Sequence, residues 1–416
     1  MSQRLSGASV LDQLKGSPRF AVFMLVMLPT AIALGAKEVA RLQYVTGVFG
    51  SAGGIGTVGV VVAVAVALGG ATSGPLCDRI NPRGVLIISI LGVACSNVIS
   101  STLIFRGELT VPIVLVIAVF DGASLGVGAP ALLKIQAALV PHDARGSAEI
   151  VNIFRLSLGA VVGLILASLS PSPAYTLLVG GAVTFGVAAG VAWVTSRVSA
   201  TRVRSVQAGP VGLWSTLFAL PSLRYVVIAD LVLTFAIPTQ LSNVVLAEEG
   251  DVSLILPVLL AGVLGVLIGR LTLVATGSTG DVRRQLLVAF GVFIGVALLA
   301  VPLTVSGFTL ESGLISACFI LAGSASSSYV LGLLAALVQQ QVPDDVRGAL
   351  SGFMAAARSL LIAGAAALIT AVVVPLSSAA VVVTVCALAV VALAVVRGFA
   401  GVMAYDDGLD RPASAR

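Results

Sequence analysis

Charge is the scarcest resource in this chain. Asp, Glu, Lys and Arg make up 10% of its 416 residues, against roughly 25% in soluble domains. A chain so poor in charge cannot cover a water-facing surface, so lipid must be its main solvent. Histidine is nearly absent. His142 is the sole one, which excludes serine–histidine triads and multi-histidine metal sites within one chain. The four cysteines, Cys77, Cys95, Cys318 and Cys386, lie scattered in apolar segments without ligand spacing. They imply neither a disulfide nor a metal. Acidic pairs occur at Asp344-Asp345 and Asp406-Asp407, but no second acidic motif stands near either, so metal-assisted prenyl-transfer chemistry lacks its double site. No enzyme activity, cofactor or metal is expected.

What remains is apolar and small. Hydrophobic residues reach 58%, glycine contributes 45 residues, and mean hydropathy is +1.13. Small residues let membrane helices approach closely where water supplies no drive between them. The apolar runs are long and unbroken, unlike the alternation of an outer-membrane barrel. The formal charge of +5 points to the positive-inside bias rather than to nucleic acid.

A spanning helix needs roughly 20 mostly apolar residues. Twelve such runs fall near 19–37, 51–74, 84–105, 111–139, 147–171, 174–196, 223–246, 252–274, 285–306, 312–340, 349–373 and 376–398. The first is long enough to span and no small-residue site ends it, so no cleaved leader is expected. A polar stretch at 197–222 separates an N-terminal six-helix bundle (1–196) from a C-terminal one (223–398), with a tail at 399–416. Placing both termini in the cytoplasm puts Arg79, Arg83, Arg145, Arg197, Arg283, Arg284 and Arg347 inside. Only Lys37, Arg41 and Arg106 then fall outside. A multi-pass protein of the bacterial inner membrane, monomeric in the bilayer, is expected.

Two turns match. Val140-Pro141-His142-Asp143-Ala144-Arg145-Gly146 returns as Val342-Pro343-Asp344-Asp345-Val346-Arg347-Gly348, 202 residues later. Each lies between the fourth and fifth span of its half, so the halves are parallel repeats, a recurring carrier plan. Pro ends one helix, Asp143 or Asp345 can cap the next, and Arg145 or Arg347 faces the cytoplasm.

Residues 73–84 read SGPLCDRINPRG. They resemble the major facilitator superfamily signature G-x-L-x-D-R-x-G-R-[KR] through Gly74, Leu76, Asp78, Arg79 and Arg83. Asn81-Pro82 stands where the second glycine usually does. The resemblance implies an all-α membrane fold of twelve helices in two bundles around a central cavity. It also implies that Asp78 latches one conformation against the start of the eleventh helix, where a carboxylate meets the positive end of a helix dipole. The segment from Gly126 to Pro141 is similar to the bacterial branch that exports drugs and siderophores. The helix-four motif of proton-coupled antiporters is not matched, since Asp121-Gly122 stands where Gln-Gly would. Gly159 and Gly163 keep a G-x-x-x-G spacing that suits close packing.

Ionisable groups inside spans are costly and mark function by default. Asp121 lies ~15 Å into span four, Arg155 and Arg358 sit near mid-membrane on spans five and eleven, and Asp230 lies ~9 Å into span seven. Asp121 and Asp230 are candidate proton carriers, because burial favours the protonated form of a carboxylate. Arg155 and Arg358 stay charged and suit an acidic substrate. Asn152, Gln240, Asn243, Ser324 and Tyr329 could complete the cavity. Lys134 and Arg270, nearer the span ends, read as snorkelling side chains. The alternative for each charge is an interhelical ion pair that only holds the bundle. The expected function is proton-coupled export of a small amphipathic or acidic molecule by alternating access. Import of a small organic anion is the second reading, and a channel, assembly factor or membrane enzyme the rival classes.

Overall fold

The computed structural model describes residues 15–49, 53–141, 144–197, 252–276, 313–341 and 347–368, with isolated positions between 227 and 295. Every regular element among them is helical. Six helices form the N-terminal bundle: α1 (Pro18–Phe49), α2 (Gly53–Arg79), α3 (Pro82–Arg106), α4 (Val111–Leu139), α5 (Arg145–Ser168) and α6 (Pro173–Val194). From the second half come α7 (Val252–Thr276), α8 (Gly313–Gln341) and α9 (Arg347–Leu368), on the runs counted above as spans eight, ten and eleven. The first six each contain a segment long and apolar enough to cross a membrane. The boundary segment 198–226 lies outside the described residues, as do Gln240, Asn243, Asp143, Asp345 and Cys386.

Helix boundaries follow local chemistry. Asn81 caps α3 by accepting the Arg83 backbone N–H at 3.0 Å, and Pro82 takes the first helical position, where a missing N–H costs nothing. That accounts for Asn-Pro in place of glycine in the signature turn: the pair starts a helix. At the other end Gly107 adopts a left-handed φ of 68° and closes the last turn onto Ile104, while Glu108 bonds back to Leu103. Ser172 and Pro173 start α6 in the same manner as α3.

α1 differs from expectation. Its apolar run breaks at Lys37, yet the helix continues to Phe49. The charges that broke the pattern are neutralised in place: Lys37 pairs with Asp121 and Arg41 with Glu38 one turn away. Lys37 and Arg41 therefore leave the outer-loop charges and belong to a spanning helix.

Within the N-terminal bundle, α1 packs on α5 and α6, α2 on α4, and α3 on α4 and α6. One core layer joins Phe20, Phe23 and Met27 of α1 to Leu86, Ile90, Ile135 and Val191. A second joins Tyr44 and Val45 to Val58, Val114 and Leu177. Lipid is as apolar as leucine, so these layers stabilise through packing rather than escape from water. Close packing is visible at Gly159 and Gly163, where a side chain would run into the backbone of α1, and at Gly35, where one would run into that of α5 at Ala160. Leu25, Ile88 and Val116, each about two-thirds exposed, suit a lipid-facing surface. Pro130 inside α4 has no N–H for the Gly126 carbonyl, and Ser73 of α2 donates to that oxygen instead, at 3.4 Å.

The halves meet along α2 with α9, and α5 with α7 and α8. We call the end carrying Arg83, Arg145 and Arg347 the basic end. There α2 and α9 touch almost backbone to backbone. A Cβ on Gly352 would stand 3.0 Å from the Cα of Gly74, and one on Gly70 3.3 Å from the Gly352 carbonyl. Passage between α2 and α9 at that end is shut.

Candidate functional site

Buried charge falls into two clusters. The first lies inside the N-terminal bundle. Lys37 of α1 bonds Asp121 of α4 and donates to Ser96 of α3 at 3.2 Å. Side-chain exposures of 3% and 4% leave the pair no solvent. Asp121, chosen from the sequence as a proton carrier, is thus one partner of an ion pair internal to one bundle.

The second cluster straddles the halves. Arg358 of α9 forks onto Asp230, with Nε to Oδ2 at 2.7 Å and Nη2 to Oδ1 at 2.5 Å. Asp230 is fully buried, while the Arg358 side chain is 37% exposed. On the N-terminal side, α5 presents Glu149, Asn152 and Arg155 three residues apart, hence on one face. Arg155 donates to the Met27 carbonyl at 2.6 Å and to Asn152 Oδ1 at 2.9 Å. Asn152, its oxygen taken, hydrogen-bonds Glu149. The second carboxylate oxygen of Glu149 has no partner, and it lies within electrostatic reach of Arg270 and Arg358 in the other half.

Arg270 departs from expectation. It is 7% exposed rather than snorkelling. Its guanidinium lies over Gly332 of α8, where any side chain would collide with it. Its Nε and Nη1 have no hydrogen-bond partner. Lys134 is likewise buried, donating to the Cys77 carbonyl near the end of α2 at 3.3 Å. A cation there meets the negative end of a helix dipole.

Among the described residues, the second cluster holds Arg155, Arg270 and Arg358 with two carboxylates, Glu149 and Asp230, one positive charge in excess. Unpaired guanidinium donors in a dry site are costly, and an oxyanion satisfies them well, bidentately where geometry allows. Ser324 of α8, also buried with an unbonded hydroxyl, faces Gly265 of α7. Tyr329 instead shares a hydrogen bond of 3.1 Å with Thr276, tying α8 to α7.

The signature turn acts partly within its own half. Arg83 donates to the Ala192 carbonyl at 2.6 Å, anchoring the start of α3 to the end of α6. Gly74 forms the contact with Gly352 described above. The side chains of Asp78, Arg79 and Arg347 lie outside the described residues. Among the described residues no group of His, Cys, Asp and Glu could hold a metal. Cys77, Cys95 and Cys318 form no disulfide among the described residues.

Glu149 and Arg270 are the residues sequence reasoning passed over. The i, i+3, i+6 series Glu149-Asn152-Arg155 was the available signal for the first. Arg270 offered none, because a lone Arg near a span end reads as snorkelling.

The family model described as Major Facilitator Superfamily matches residues 19–367. The human organic anion transporter MFSD10 (TETRAN) superposes with a TM-score of 0.68 at 16% identity, covering 91% of this chain and 99% of its own. The E. coli fucose:proton symporter FucP gives 0.68 at 14%, covering 92% and 97%. A bacterial homologue of the iron transporter ferroportin in its outward-facing state gives 0.72 at 13%, covering 92% and 99%. No curated protein sequence matches the chain significantly.

Proposed function

Since the chain belongs to the major facilitator superfamily and is a membrane transporter, we propose that it carries a small organic anion together with a proton. The observation that carries this reading is the fork of Arg358 on Asp230. An ionised Asp230 occupies the donors that an anionic substrate would use. A proton on Asp230 removes its charge and releases Arg358 to hold a substrate carboxylate. Proton and anion then bind together, and the loaded carrier has the same net charge as the empty one.

That order of events bears on direction. Export by exchange with protons requires proton and substrate to exclude one another. A carboxylate competing with the substrate for one arginine makes them bind jointly, which suits symport. With protons driven inward, joint movement is uptake, so the pairing favours uptake over export, and the basic end is the cytoplasmic one. Arg270, whose Nε and Nη1 are unbonded, supplies the second cation. In this reading Asp121 is structural, because Lys37, itself held by Ser96, already pairs with it inside one bundle.

The test is coupled flux. Proteoliposomes are given an inward proton gradient and a panel of small monocarboxylates, with a pH dye outside. Saturable, anion-dependent alkalinisation of the outer medium is expected; a channel would not saturate. Asp230→Asn should abolish the pH dependence, and Arg358→Gln should abolish anion flux. Proton-coupled flux surviving in Asp230→Asn contradicts the assignment.

A further inference from the structure

The basic end holds a feature that the proposed mechanism does not use. Where α4 ends and α5 begins, a cavity of about 190 Å3, its open mouth included, is lined by Gln136, Val140, Arg145, Ala148 and Glu149. Its enclosed part has room for roughly one water. Two of its polar groups are unbonded: Nε2 of Gln136, a residue 3% exposed, and the free oxygen of Glu149. A buried amide donor and a carboxylate oxygen facing a water-sized space are partners for one bridging water.

We propose that Glu149 is a proton-binding site at the basic end, loaded through this cavity, and that its charge holds that end shut. The inference rests on the proton-coupled reading above. The geometry gives Glu149 two sides. One oxygen is bonded by Asn152, which Arg155 fixes in turn. The other is unbonded, and the carboxylate lies within electrostatic reach of Arg270 of α7 and Arg358 of α9, two of the helices that the N-terminal bundle must part from when the basic end opens. Arg145 lies on its own helix at the cavity wall, and Gln136 comes from α4. Arg358 is therefore bonded to one carboxylate, Asp230 in its own half, and feels the field of a second, Glu149 in the other.

The consequence is a charge clamp across the halves. With Glu149 ionised, the uncompensated positive charge of Arg270 and Arg358 is drawn to the N-terminal bundle, and the Gly70, Gly74 and Gly352 contact stays closed. A water in the cavity brings a proton to the free oxygen; the carboxylate becomes a carboxylic acid, its attraction for both arginines falls, and the gate is released. When the proton leaves by the same route the clamp re-forms. The conformational change is thereby tied to the protonation state of a group on the basic side, separate from the substrate-linked proton at Asp230.

A substrate-free measurement tests this. Spin labels are placed at Ile80→Cys and Ala275→Cys, exposed positions near the basic end in opposite halves, in a chain with its four native cysteines replaced by alanine. Inter-label distances are measured in nanodiscs across pH. The parent should shift toward longer distances as pH falls. Glu149→Gln should hold the long-distance population at every pH, and Glu149→Asp should keep the response with a displaced midpoint. A pH response unchanged in Glu149→Gln overturns the proposal. A response lost in Glu149→Gln while proteoliposomes show no proton-coupled flux leaves the clamp standing and removes the carrier reading. Coupled flux with an unaltered response in Glu149→Gln does the reverse.

Discussion

The two buried charge clusters look alike on paper and differ in what they leave unsatisfied. Lys37, Asp121 and Ser96 form a closed set within one bundle, with each charge met. Arg358, Asp230, Arg270, Glu149 and Arg155 form an open set between bundles, carrying among the described residues one surplus positive charge and unbonded N–H groups. A pair confined to one bundle keeps its partner when the bundles rock, so it stabilises every state alike. A cluster shared between bundles changes partners as they move, so it can bias one state and respond to a ligand. Burial alone, the usual sign of function in a membrane chain, does not separate the two. Connectivity does.

The largest expected effect breaks the closed set. Lys37→Met leaves Asp121 charged and unpaired at 4% exposure, which should cost about 3–5 kcal/mol. Thermal unfolding in detergent should show a large drop, and the double variant Lys37→Met/Asp121→Leu should recover most of it. Next comes the open set. Asp230→Asn should flatten the pH profile of anion flux and reduce accumulation about tenfold or more, because a tenfold change needs only about 1.4 kcal/mol of lost coupling. Its effect on thermal stability should be the smaller one, since Arg358 is partly exposed and can reach water.

Two weaker perturbations sharpen the contrast between moving and fixed contacts. Gly352→Leu places a side chain against the Gly74 and Gly70 backbone. It should hold the basic end open and raise maleimide labelling of the buried Cys77 several-fold when the other cysteines are replaced, a gain of about 1 kcal/mol in opening. Gly107→Ala, by contrast, strains a left-handed cap in a turn that no state change involves. It should lower thermal stability by about 1–2 kcal/mol without altering the pH profile of flux.

Much of the architecture was legible because lipid imposes length and composition on every span, and because repeated turns and basic loops mark topology. The break at Lys37 misled for a physical reason. A charge ends an apolar run in one dimension, but in three it can be neutralised by a residue on another helix, and Asp121 does so. Arg270 and Lys134 were misplaced for a related reason: a cation near a helix end can snorkel or find a carbonyl or ring-free surface, and distance to the end does not say which. Asp230 and Arg358 could be singled out separately, but their pairing depends on two helices 128 residues apart and has no local signal. Glu149 was passed over because it lies one turn above a loop, where acidic residues are ordinarily solvated.

On the proposed mechanism the cluster between the halves carries coupling while the cluster inside the N-terminal bundle only holds it together. Proton-driven anion flux, measured side by side in Asp230→Asn and in Lys37→Met/Asp121→Leu at matched protein incorporation, tests it most directly. The double variant is expected to keep a pH-dependent flux within about twofold of the parent, under 0.5 kcal/mol in the barrier, and Asp230→Asn to lose the dependence. A double variant that has folded but lost its coupling, beside an Asp230→Asn chain that retains it, would place coupling in the N-terminal bundle instead.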